Sequence, residues 1–367
     1  MIRRYLEHFD FLLLFLILLI SALGILTIYS VTYSDPPLAD YHKQIIWVAL
    51  GCIILMILLA LDYRLLKKWA PVFYAAVVIV LLYLLIRGQF ELGVRRWILI
   101  PFINFRLQPS EFAKPAVVIL LARWMEKWRG NPPAIRQLVI RGIITGIPLI
   151  LILKQPDLGT SLMLPPVFLA MVFASGFRMR TLVIIFLCLA IPAIIIGPQV
   201  IKPYQMKRIT SFMDPEADPL GSGYQLIQSK IAFGSGGLTG KGFKQGPQSH
   251  LDFLPVQDTD FIFAVWGEER GFLGTLTLLA LYVLLTFRCL LIARKADDLF
   301  GTYICVGLTT ILFCQIFINT GMVIGLMPIT GLPLPLMSYG GSACLANFVS
   351  LAIILNIGMR SFSMYRS

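Results

Sequence analysis

Long runs of apolar residues, separated by short polar segments, dominate the pattern of this chain. A helix needs about 20 apolar residues to cross the hydrocarbon core of a membrane, so these runs predict transmembrane helices. Seven runs are clear: Phe11–Ser30, Ile45–Leu61, Pro71–Ile86, Thr181–Ile201, Phe272–Ile292, Tyr303–Leu326 and Gly341–Met359. Three weaker runs contain proline or charged residues: Pro109–Met125, Leu138–Leu153 and Thr160–Phe177. The pattern predicts an all-α polytopic membrane protein with ten transmembrane helices.

One polar segment, between the seventh and eighth predicted helices, is much longer than the others. It runs from Lys202 to Asp260, and loops of this length are uncommon unless they are functional. Within it, the stretch "GYQLIQSKIAF" has helical spacing. One face would carry Tyr224, Ile227 and Ile231, and the other would carry Gln225, Gln228 and Ser229. The spacing predicts a short helix that either lies on the membrane surface or packs within the loop.

Composition and charge agree with a membrane protein and set its orientation. Of 367 residues, 58% are hydrophobic and 14% charged. The apolar runs leave no room for a separate soluble domain, so residues 1–367 are predicted to form one membrane domain. With a cytoplasmic N-terminus, the inner segments hold 17 basic and six acidic residues, whereas the remainder holds 14 and 13. Basic residues concentrate in cytoplasmic loops, so both termini are predicted to be cytoplasmic and residues 201–260 to form an extracellular loop. The net charge of +12 therefore needs no nucleic-acid partner.

Two charged motifs lie at the starts of weaker predicted helices. In "QPSEFAK", Pro109 can open a helix, and Glu111 and Lys114 then share one face and can pair. The pair is either structural or functional, and charges within a membrane segment usually mark a cavity or pathway. In "KQPDLGTS", Asp157 is a candidate helix cap as well as a candidate site residue.

Basic residues cluster at two further places on the predicted outer side. Lys202, Lys207 and Arg208 would contact either lipid headgroups or a pyrophosphate group. Arg95 and Arg96 adjoin Trp97, a pattern that an aromatic-belt anchor explains equally well.

Acidic residues are concentrated around the start of the eighth predicted helix, in "QDTDFIFAVWGEERGF". Asp258 or Asp260 would serve as the helix N-cap, or as a functional carboxylate. A full apolar span follows Glu268 and Glu269, so both are predicted at the outer boundary or in a wet cavity. The preceding stretch "GSGGLTGKG", which includes Lys241, fails the P-loop pattern and predicts a flexible turn with N–H groups available to an anion.

The stretch "MPITGLPLPLMSYGGSA", which contains Ser338, cannot continue a helix because of its prolines and glycines. Irregular backbone at membrane depth is tolerated only when it is buried in protein or lines a cavity. The stretch therefore predicts a polar groove, which suits a lipid with an anionic head. An enzyme that transfers the head group and a transporter that moves the lipid both fit. The enzyme is favoured because the charges gather on one side and no internal repeat is present.

The motifs "QPSEFAK", "QPDLGTS", "RITSFMDPEADPLGSGYQLIQSKIAFGSGGLTGKG", "FLPVQDTDFIFAVWGEERGFLG" and "PLPLMSYGGSA" together resemble the SEDS family of bacterial cell-wall polymerases. They resemble its elongation branch, RodA, more than its division branch, FtsW. The resemblance implies a peptidoglycan glycosyltransferase that polymerises lipid II in the bacterial cytoplasmic membrane, with a lipid II flippase as the alternative. It also implies a class B penicillin-binding protein as partner and a divalent cation, magnesium or manganese, as cofactor, with unknown ligands.

The resemblance also implies roles for individual residues. The essential aspartate of the family falls on Asp260, the expected catalytic base, in a chain that has Asp258 where the family usually has histidine. Placement at a helix end would favour an ionised Asp260. The remaining candidates would bind the substrate or leaving group or support those that do: Glu111, Lys114, Asp157, Arg208, Lys241, Glu268, Glu269 and Ser338.

Overall fold

The computed structural model describes residues 7–32, 40–87, 96–100, 105–128, 135–188, 203–218, 221–251 and 253–361. We call the long polar segment 201–260 the outer loop, after its predicted position. The helices before it are α1 Phe11–Thr32, α2 Asp40–Ala60, α3 Arg64–Arg87, α4 Pro109–Met125, α5 Ile135–Lys154, α6 Leu158–Ala174 and α7 Met179–Cys188. Those from the outer loop onward are α8 Pro203–Met213, α9 Ser222–Ser235, α10 Pro247–His250, α11 Ile262–Lys295, α12 Leu299–Val323 and α13 Gly341–Met359. Two short 3₁₀ turns lie at Glu126–Trp128 and Pro215–Ala217.

Seven of these helices, within the described ranges, are long and apolar enough to cross a membrane: α1, α2, α3, α5, α11, α12 and α13. The chain is therefore a mostly helical, integral membrane protein. Helices α4 and α6, at two of the three weaker predicted spans, are shorter, as is the described part of α7 at the seventh predicted span. Residues 189–201, which belong to the predicted span Thr181–Ile201, lie outside the described part of the chain.

The core of the bundle lies around α4, α12 and α13, whose side chains are largely buried. In contrast, α2 and α3 bury only a few side chains each and leave large apolar residues exposed, such as Ile53, Met56 and Ile79. Exposed apolar residues of this kind are what a surface in contact with lipid requires. The bundle is thus built around a central core of three helices, α4, α12 and α13.

A small β-hairpin corrects the prediction that the fold is entirely helical. Strand β1, Ile98–Ile100, pairs antiparallel with β2, Phe105–Leu107, immediately before α4. The Phe105 ring packs on Trp47 of α2 at a centroid distance of 4.4 Å. The run of β-branched residues here is too short for a helix, and the hairpin brings Arg96 over the start of α6.

The eighth predicted span begins earlier than the hydrophobicity indicated, because α11 starts at Ile262 and is broken at Gly271 (φ 66°, ψ −165°). The segment 237–242 packs at this break and supplies four backbone hydrogen bonds, of 2.8 to 3.1 Å, to residues 268–273. In two of them, the N–H groups of Lys241 and Gly242 donate to the carbonyls of Glu268 and Glu269. The prediction of a flexible turn whose N–H groups face an anion is therefore wrong, because these donors complete the broken helix.

Helix α9 confirms the helix predicted in the outer loop but not its orientation. Its buried positions are Gly223, Leu226, Ser229 and Ala232, so Ser229, which was predicted to turn away, is buried and donates to the carbonyl of Val323 at 3.0 Å. Ile231 is 44% exposed. Small side chains on the buried face allow close packing against α11 and α12, which outweighs the apolar spacing.

The stretch after α12 has the irregular backbone that its prolines and glycines predict. Residues 327–340 contain no helix, and Gly325, Gly331, Leu336 and Gly340 have positive φ angles. Its apolar members Leu332, Leu334 and Met337 are buried. The stretch is therefore buried in protein at the outer end of the bundle, where it meets the residues before α11.

Candidate active site

Asp260 lies in the turns that precede α11, and the backbone around it is held by three hydrogen bonds. The carbonyl of Asp258 accepts from the N–H of Tyr339 at 2.9 Å, and that of Thr259 accepts from Ser338 Oγ at 2.6 Å. The carbonyl of Asp260 accepts from Asn319 Nδ2 at 2.9 Å. Three successive carbonyls are thus fixed by α12 and the irregular stretch, which defines where the Asp260 side chain is placed.

The structure corrects the prediction that Asp258 or Asp260 caps the following helix. The N-cap of α11 is Phe261, and no side chain caps this helix end. Phe261 and Ile262 are buried, and their burial fixes the helix start two residues beyond the aspartate. The Asp260 carboxylate is consequently left available, and within the described residues it takes part in no hydrogen bond or ion pair.

The surroundings of Asp260 also differ from the helix-end setting that would favour its ionised form. Burial raises the pKa of the Asp260 carboxyl, whereas the guanidinium groups of Arg208 and Arg96 lower it and the charge of Asp157 raises it. The net direction is upward. A raised pKa makes the carboxylate a stronger base, provided that it is deprotonated at the working pH.

A gap lies between Asp260 and Arg208, at Gly331. A Cβ at this residue would lie 3.4 Å from Asp260 Oδ2 and 3.7 Å from Arg208 Nη1, with no other heavy atom within 4 Å. Arg208 is oriented toward this stretch by a 3.3 Å hydrogen bond from its Nη1 to the carbonyl of Ile329. A carboxylate and a guanidinium therefore border the same space, where a hydroxyl and an anion can be bound side by side.

Asp157 forms a second, fully bonded carboxylate close to the first. It caps α6, as predicted, by accepting from the Thr160 N–H at 3.2 Å. It also accepts from Gln108 Nε2 at 2.8 Å, from Ser110 Oγ at 3.0 Å and from Thr160 Oγ1 at 3.0 Å. With these donors bound to it, the Asp157 side chain is held in place by the protein rather than left available to a substrate.

Arg96 stands between the two carboxylates. Its Nη1 lies 4.0 Å from Asp157 Oδ1, and its charge lowers the pKa of Asp260. Its Nε is buried without a hydrogen-bond partner among the described residues. This arginine is therefore part of the site rather than a lipid-facing anchor, and it retains a free donor for an anion. Arg95, Lys202 and their predicted roles lie outside the described residues.

Asp258, the residue that replaces the family's histidine, is half-buried beside Asp260. Burial raises the pKa of its carboxyl to about 6, and the charges of Asp40 and Asp260 raise it too. A carboxyl with this pKa changes its charge near neutral pH. It is therefore a second titrating group next to the candidate base.

The pair of Glu111 and Lys114 forms as predicted, with Lys114 Nζ 2.8 Å from Glu111 Oε2. Both side chains are almost fully buried in the first turns of α4. Loss of either partner would destabilise the protein, since the other charge would remain buried without its counterion. The structure gives it no contact with Asp260 or Arg208, so its role at the leaving group stays a prediction.

Glu268 and Glu269 belong to a separate cluster, in which both carboxylates are buried and bonded to the protein. Glu268 is 0% exposed and accepts from Lys241 Nζ at 3.3 Å and Ser249 Oγ at 2.6 Å, and also from the N–H groups of residues 248 and 249. Glu269 accepts from Ser30 Oγ and from the Lys244 N–H. Both carboxylates fasten the loop 241–250 to α11, because the helix break at Gly271 leaves room for that loop.

The described residues contain no group of three or more His, Cys, Asp or Glu side chains that could hold a metal ion. The chain alone therefore forms no closed metal site within those residues. Magnesium, however, is commonly bound through one or two carboxylates together with substrate phosphates. Asp258 and Asp260 fit that partial role.

Several residues of this site were not selected from the sequence. Asn319 and Gln108 resemble ordinary polar residues at helix positions, and only the fold shows that they hold Asp260 and Asp157. For Arg96, the sequence favoured a site role no more than a membrane anchor, so it was not selected as a site residue. The available signal for Gly331 was its place in a proline- and glycine-rich stretch, which predicted irregular backbone but not proximity to Asp260.

Comparisons with known proteins agree with this architecture. The family model described as "Cell cycle protein", which covers FtsW, RodA and SpoVE, matches residues 9–362. The peptidoglycan glycosyltransferase MrdB of Escherichia coli (strain K12) is 39% identical over 350 residues, which cover 95% of this chain and 93% of that protein. The peptidoglycan glycosyltransferase RodA of Treponema pallidum (strain Nichols) is 33% identical and covers 97% of this chain and 99% of its own.

Solved structures have the same fold. A chain from work on "structural coordination of polymerization and crosslinking by a peptidoglycan synthase complex" aligns with a TM-score of 0.82 at 32% identity, over 97% of this chain and 99% of its own. The Rod shape determining protein RodA of Thermus thermophilus aligns with a TM-score of 0.72 at 27% identity, over 96% and 98% of the two chains. The chain belongs to the FtsW, RodA and SpoVE family, which is the SEDS family.

Proposed function

We propose that this protein is a peptidoglycan glycosyltransferase that polymerises lipid II into glycan strands during cell elongation. The observation that carries the proposal is the unpaired, partly buried carboxylate of Asp260, which borders a gap shared with Arg208. Relatives that cover almost the whole chain are named peptidoglycan glycosyltransferases, and MrdB and RodA support the role in elongation.

In the proposed reaction, Asp260 accepts the proton of the acceptor's 4-hydroxyl group. The hydroxyl oxygen then attacks the anomeric carbon of the donor sugar, and undecaprenyl pyrophosphate leaves with the bonding electron pair. The α-linked donor gives a β-1,4 bond, so the configuration inverts. An inverting displacement needs one base and a stabilised leaving group. The raised pKa of Asp260 strengthens this base.

Arg208 and Arg96 are the candidates for stabilising the pyrophosphate. Both guanidinium groups act on Asp260 and lower its pKa, so both lie close to the reacting atoms. Charged donors that are already in place where negative charge develops lower the barrier without reorganisation. Asp157, held by its own donors, keeps Arg96 oriented, while Ser338 and Asn319 hold the backbone of Asp260.

The proposal includes an arrangement in the bacterial cytoplasmic membrane. Each of the ten predicted spans overlaps a helix of the structure, and the excess of basic residues favours cytoplasmic termini. The site residues Arg96, Arg208 and Asp260 then lie on the outer side, with the loop of residues 201–260. This side is where a flipped lipid substrate presents its sugar.

A divalent cation and a protein partner complete the proposal. The cation would be bound by the pyrophosphate oxygens together with Asp258 or Asp260, and it would supply positive charge to the leaving group. The partner would be a class B penicillin-binding protein. It is supported by the structural likeness to a chain of a peptidoglycan synthase complex.

The test is polymerisation by the purified protein together with its partner, whose transpeptidase is inactivated. Wild type should convert lipid II into glycan strands, and Asp260→Asn should be slower by at least about 10²-fold, since general bases contribute about 10²–10⁴-fold. Asp218→Asn is the matched control in the same outer loop, because the Asp218 side chain, among the described residues, bonds to Ser222 and not to the site. If wild type makes no strands but moves lipid II across vesicle membranes, the flippase hypothesis replaces the enzyme hypothesis.

A further inference from the structure

Outside the candidate active site, aromatic and cationic side chains from four segments of the chain form one continuous series of contacts, in which Trp266 is buried and the other members are half-buried or exposed. The Tyr29 ring, near the end of α1, meets the Tyr41 ring of α2 edge to face at a centroid distance of 4.9 Å. Tyr29 also lies 6.4 Å from the ring of Phe243 in the outer loop. We call the following six residues the aromatic track: Tyr29, Tyr41, Phe243, Lys244, Trp266 and Arg270.

The two cations of the aromatic track are placed over its rings. Lys244 Nζ lies 4.0 Å from the centroid of Tyr29. The Arg270 guanidinium lies 5.5 Å from the centroid of Phe243 and 5.7 Å from that of Trp266. These distances are within the range of cation–π attraction. Aromatic residues that only anchor a protein in lipid need no such cations, so the track has the composition of a binding surface.

A single buried carboxylate holds three of the four segments of the track in register. Glu269 accepts hydrogen bonds from the hydroxyl of Ser30 and, at 3.0 Å, from the N–H of Lys244. Ser30 follows Tyr29, and Glu269 precedes Arg270, so one side chain joins α1, the outer loop and α11. The track is therefore preorganised, which lowers the entropy cost of binding.

The aromatic track is continuous with the candidate active site. Its member Tyr41 directly follows Asp40. Burial and the nearby negative charge of Asp40 both raise the pKa of the Tyr339 side chain. The N–H of Tyr339 in turn donates to the carbonyl of Asp258 at 2.9 Å. A chain of contacts thus leads from the residues beside Asp260 to Arg270 at the far end of the track.

We propose that the aromatic track binds the glycan strand as it leaves the active site. The inference rests on the proposed function and assigns a product-binding surface to it. Sugar rings present C–H groups that pack on the faces of aromatic rings, where the quadrupole is negative. Lys244 and Arg270 match the carboxylates that peptide substituents carry along such a strand. Several weak contacts along one strand raise its effective affinity and keep it on the enzyme between additions.

Strand length, measured separately from reaction rate, tests the inference. In the variant Tyr41→Leu/Phe243→Leu, leucine keeps apolar bulk and removes the rings. The matched control is Phe313→Leu/Phe317→Leu, since this stacked pair on α12 is 56% and 53% exposed and lies within a candidate span. The track variant should shorten the mean strand at least about threefold, because avidity is lost, and should consume lipid II at nearly the wild-type initial rate. The control should leave both unchanged.

Two results would overturn the inference. One is equal strand length in wild type and the track variant. The other is shortening that occurs in vesicles containing anionic phospholipid but not in purely zwitterionic ones, which would make the track a headgroup site.

A binding measurement separates this inference from the proposed function. Lipid-free glycan fragments of peptidoglycan are added to the Asp260→Asn protein, with and without the track substitutions. Binding that weakens at least about tenfold with the substitutions supports the track, even if wild type polymerises nothing. Binding that the substitutions leave unchanged overturns the track, while polymerisation by wild type still supports the enzyme.

Discussion

Replacing Gly331 by alanine tests whether the gap between Asp260 and Arg208 is the place where the reacting groups meet. The new methyl group would lie 3.4 Å from Asp260 Oδ2 and 3.7 Å from Arg208 Nη1. These are ordinary van der Waals contacts, so the methyl group itself causes no clash. It would, however, occupy space that the proposed mechanism reserves for the acceptor hydroxyl.

The cost of this substitution has a structural part and a catalytic part. Gly331 has a φ of +72°, and a left-handed backbone costs an alanine about 1–2 kcal/mol. If the methyl group displaces the hydroxyl by about 1 Å, the rate should fall about 10²-fold. At about 1.36 kcal/mol per tenfold change, that corresponds to about 2.7 kcal/mol of transition-state stabilisation.

Gly176→Ala provides the matched control for the structural part. Gly176 follows α6, has a φ of +93°, and a Cβ there would meet no heavy atom within 4 Å. Both variants should lose similar thermal stability, measured by unfolding of the purified proteins. Polymerisation of lipid II should fall in Gly331→Ala alone. If the two variants polymerise equally well, the gap is not where the acceptor binds, and the placement of the reaction between Asp260 and Arg208 is refuted.

Three further predictions concern the same site, and a fourth concerns the separate cluster around Glu268. Arg208 lowers the pKa of Asp260, so Arg208→Gln should raise that pKa and move the acid limb of the pH–rate profile to higher pH; an unchanged limb would contradict the assigned base. Asn319→Leu should reduce kcat more than it changes KM, because it releases the Asp260 backbone, and equal effects on both would argue for a different role. Burial raises the pKa of Asp258 in the folded protein to about 6, so the stability that its protonated form contributes is lost as pH rises through 6. Asp258→Asn should therefore flatten the pH dependence of the thermal unfolding temperature between pH 4 and 7. Glu268→Gln should lower the free energy of unfolding by about 1–3 kcal/mol, because the glutamine NH2 group cannot accept from the donors that Glu268 binds. The folded fraction should polymerise lipid II at the normal rate, and a loss of rate without a loss of stability would instead place Glu268 in the reaction.

The helices of this protein could be predicted well because their signal is local. Each apolar run overlaps a helix, although only residues 181–188 of the run Thr181–Ile201 are described, and Pro109 and Asp157 mark the starts of α4 and α6 as their chemistry requires. The pairing of Glu111 with Lys114 also follows from spacing along one helix. Such features depend only on neighbours within a few residues, which the sequence contains directly.

The start of α11 shows where local reasoning fails. Hydrophobicity alone places the helix after Glu269, because two carboxylates are costly in an apolar environment. The structure buries both, because the loop 241–250, distant in sequence, supplies their donors. Long-range compensation of this kind leaves no periodic signal. For the same reason, the sequence could not separate the Glu268 and Glu269 cluster from the site at Asp260.

Two interruptions of regular structure together explain why the site can exist at the end of an otherwise helical bundle. The irregular stretch 327–340 leaves the N–H of Tyr339 outside any helix, and this N–H and the Ser338 hydroxyl bind the backbone carbonyls of residues 258 and 259. The break at Gly271 lets the outer loop fasten to α11 and so orients the segment that leads to Asp260. A continuous helix in either place would satisfy its own backbone and would offer nothing to hold an unpaired carboxylate. Asp260 can therefore remain free for a substrate because neighbouring elements, rather than its own side chain, fix its position.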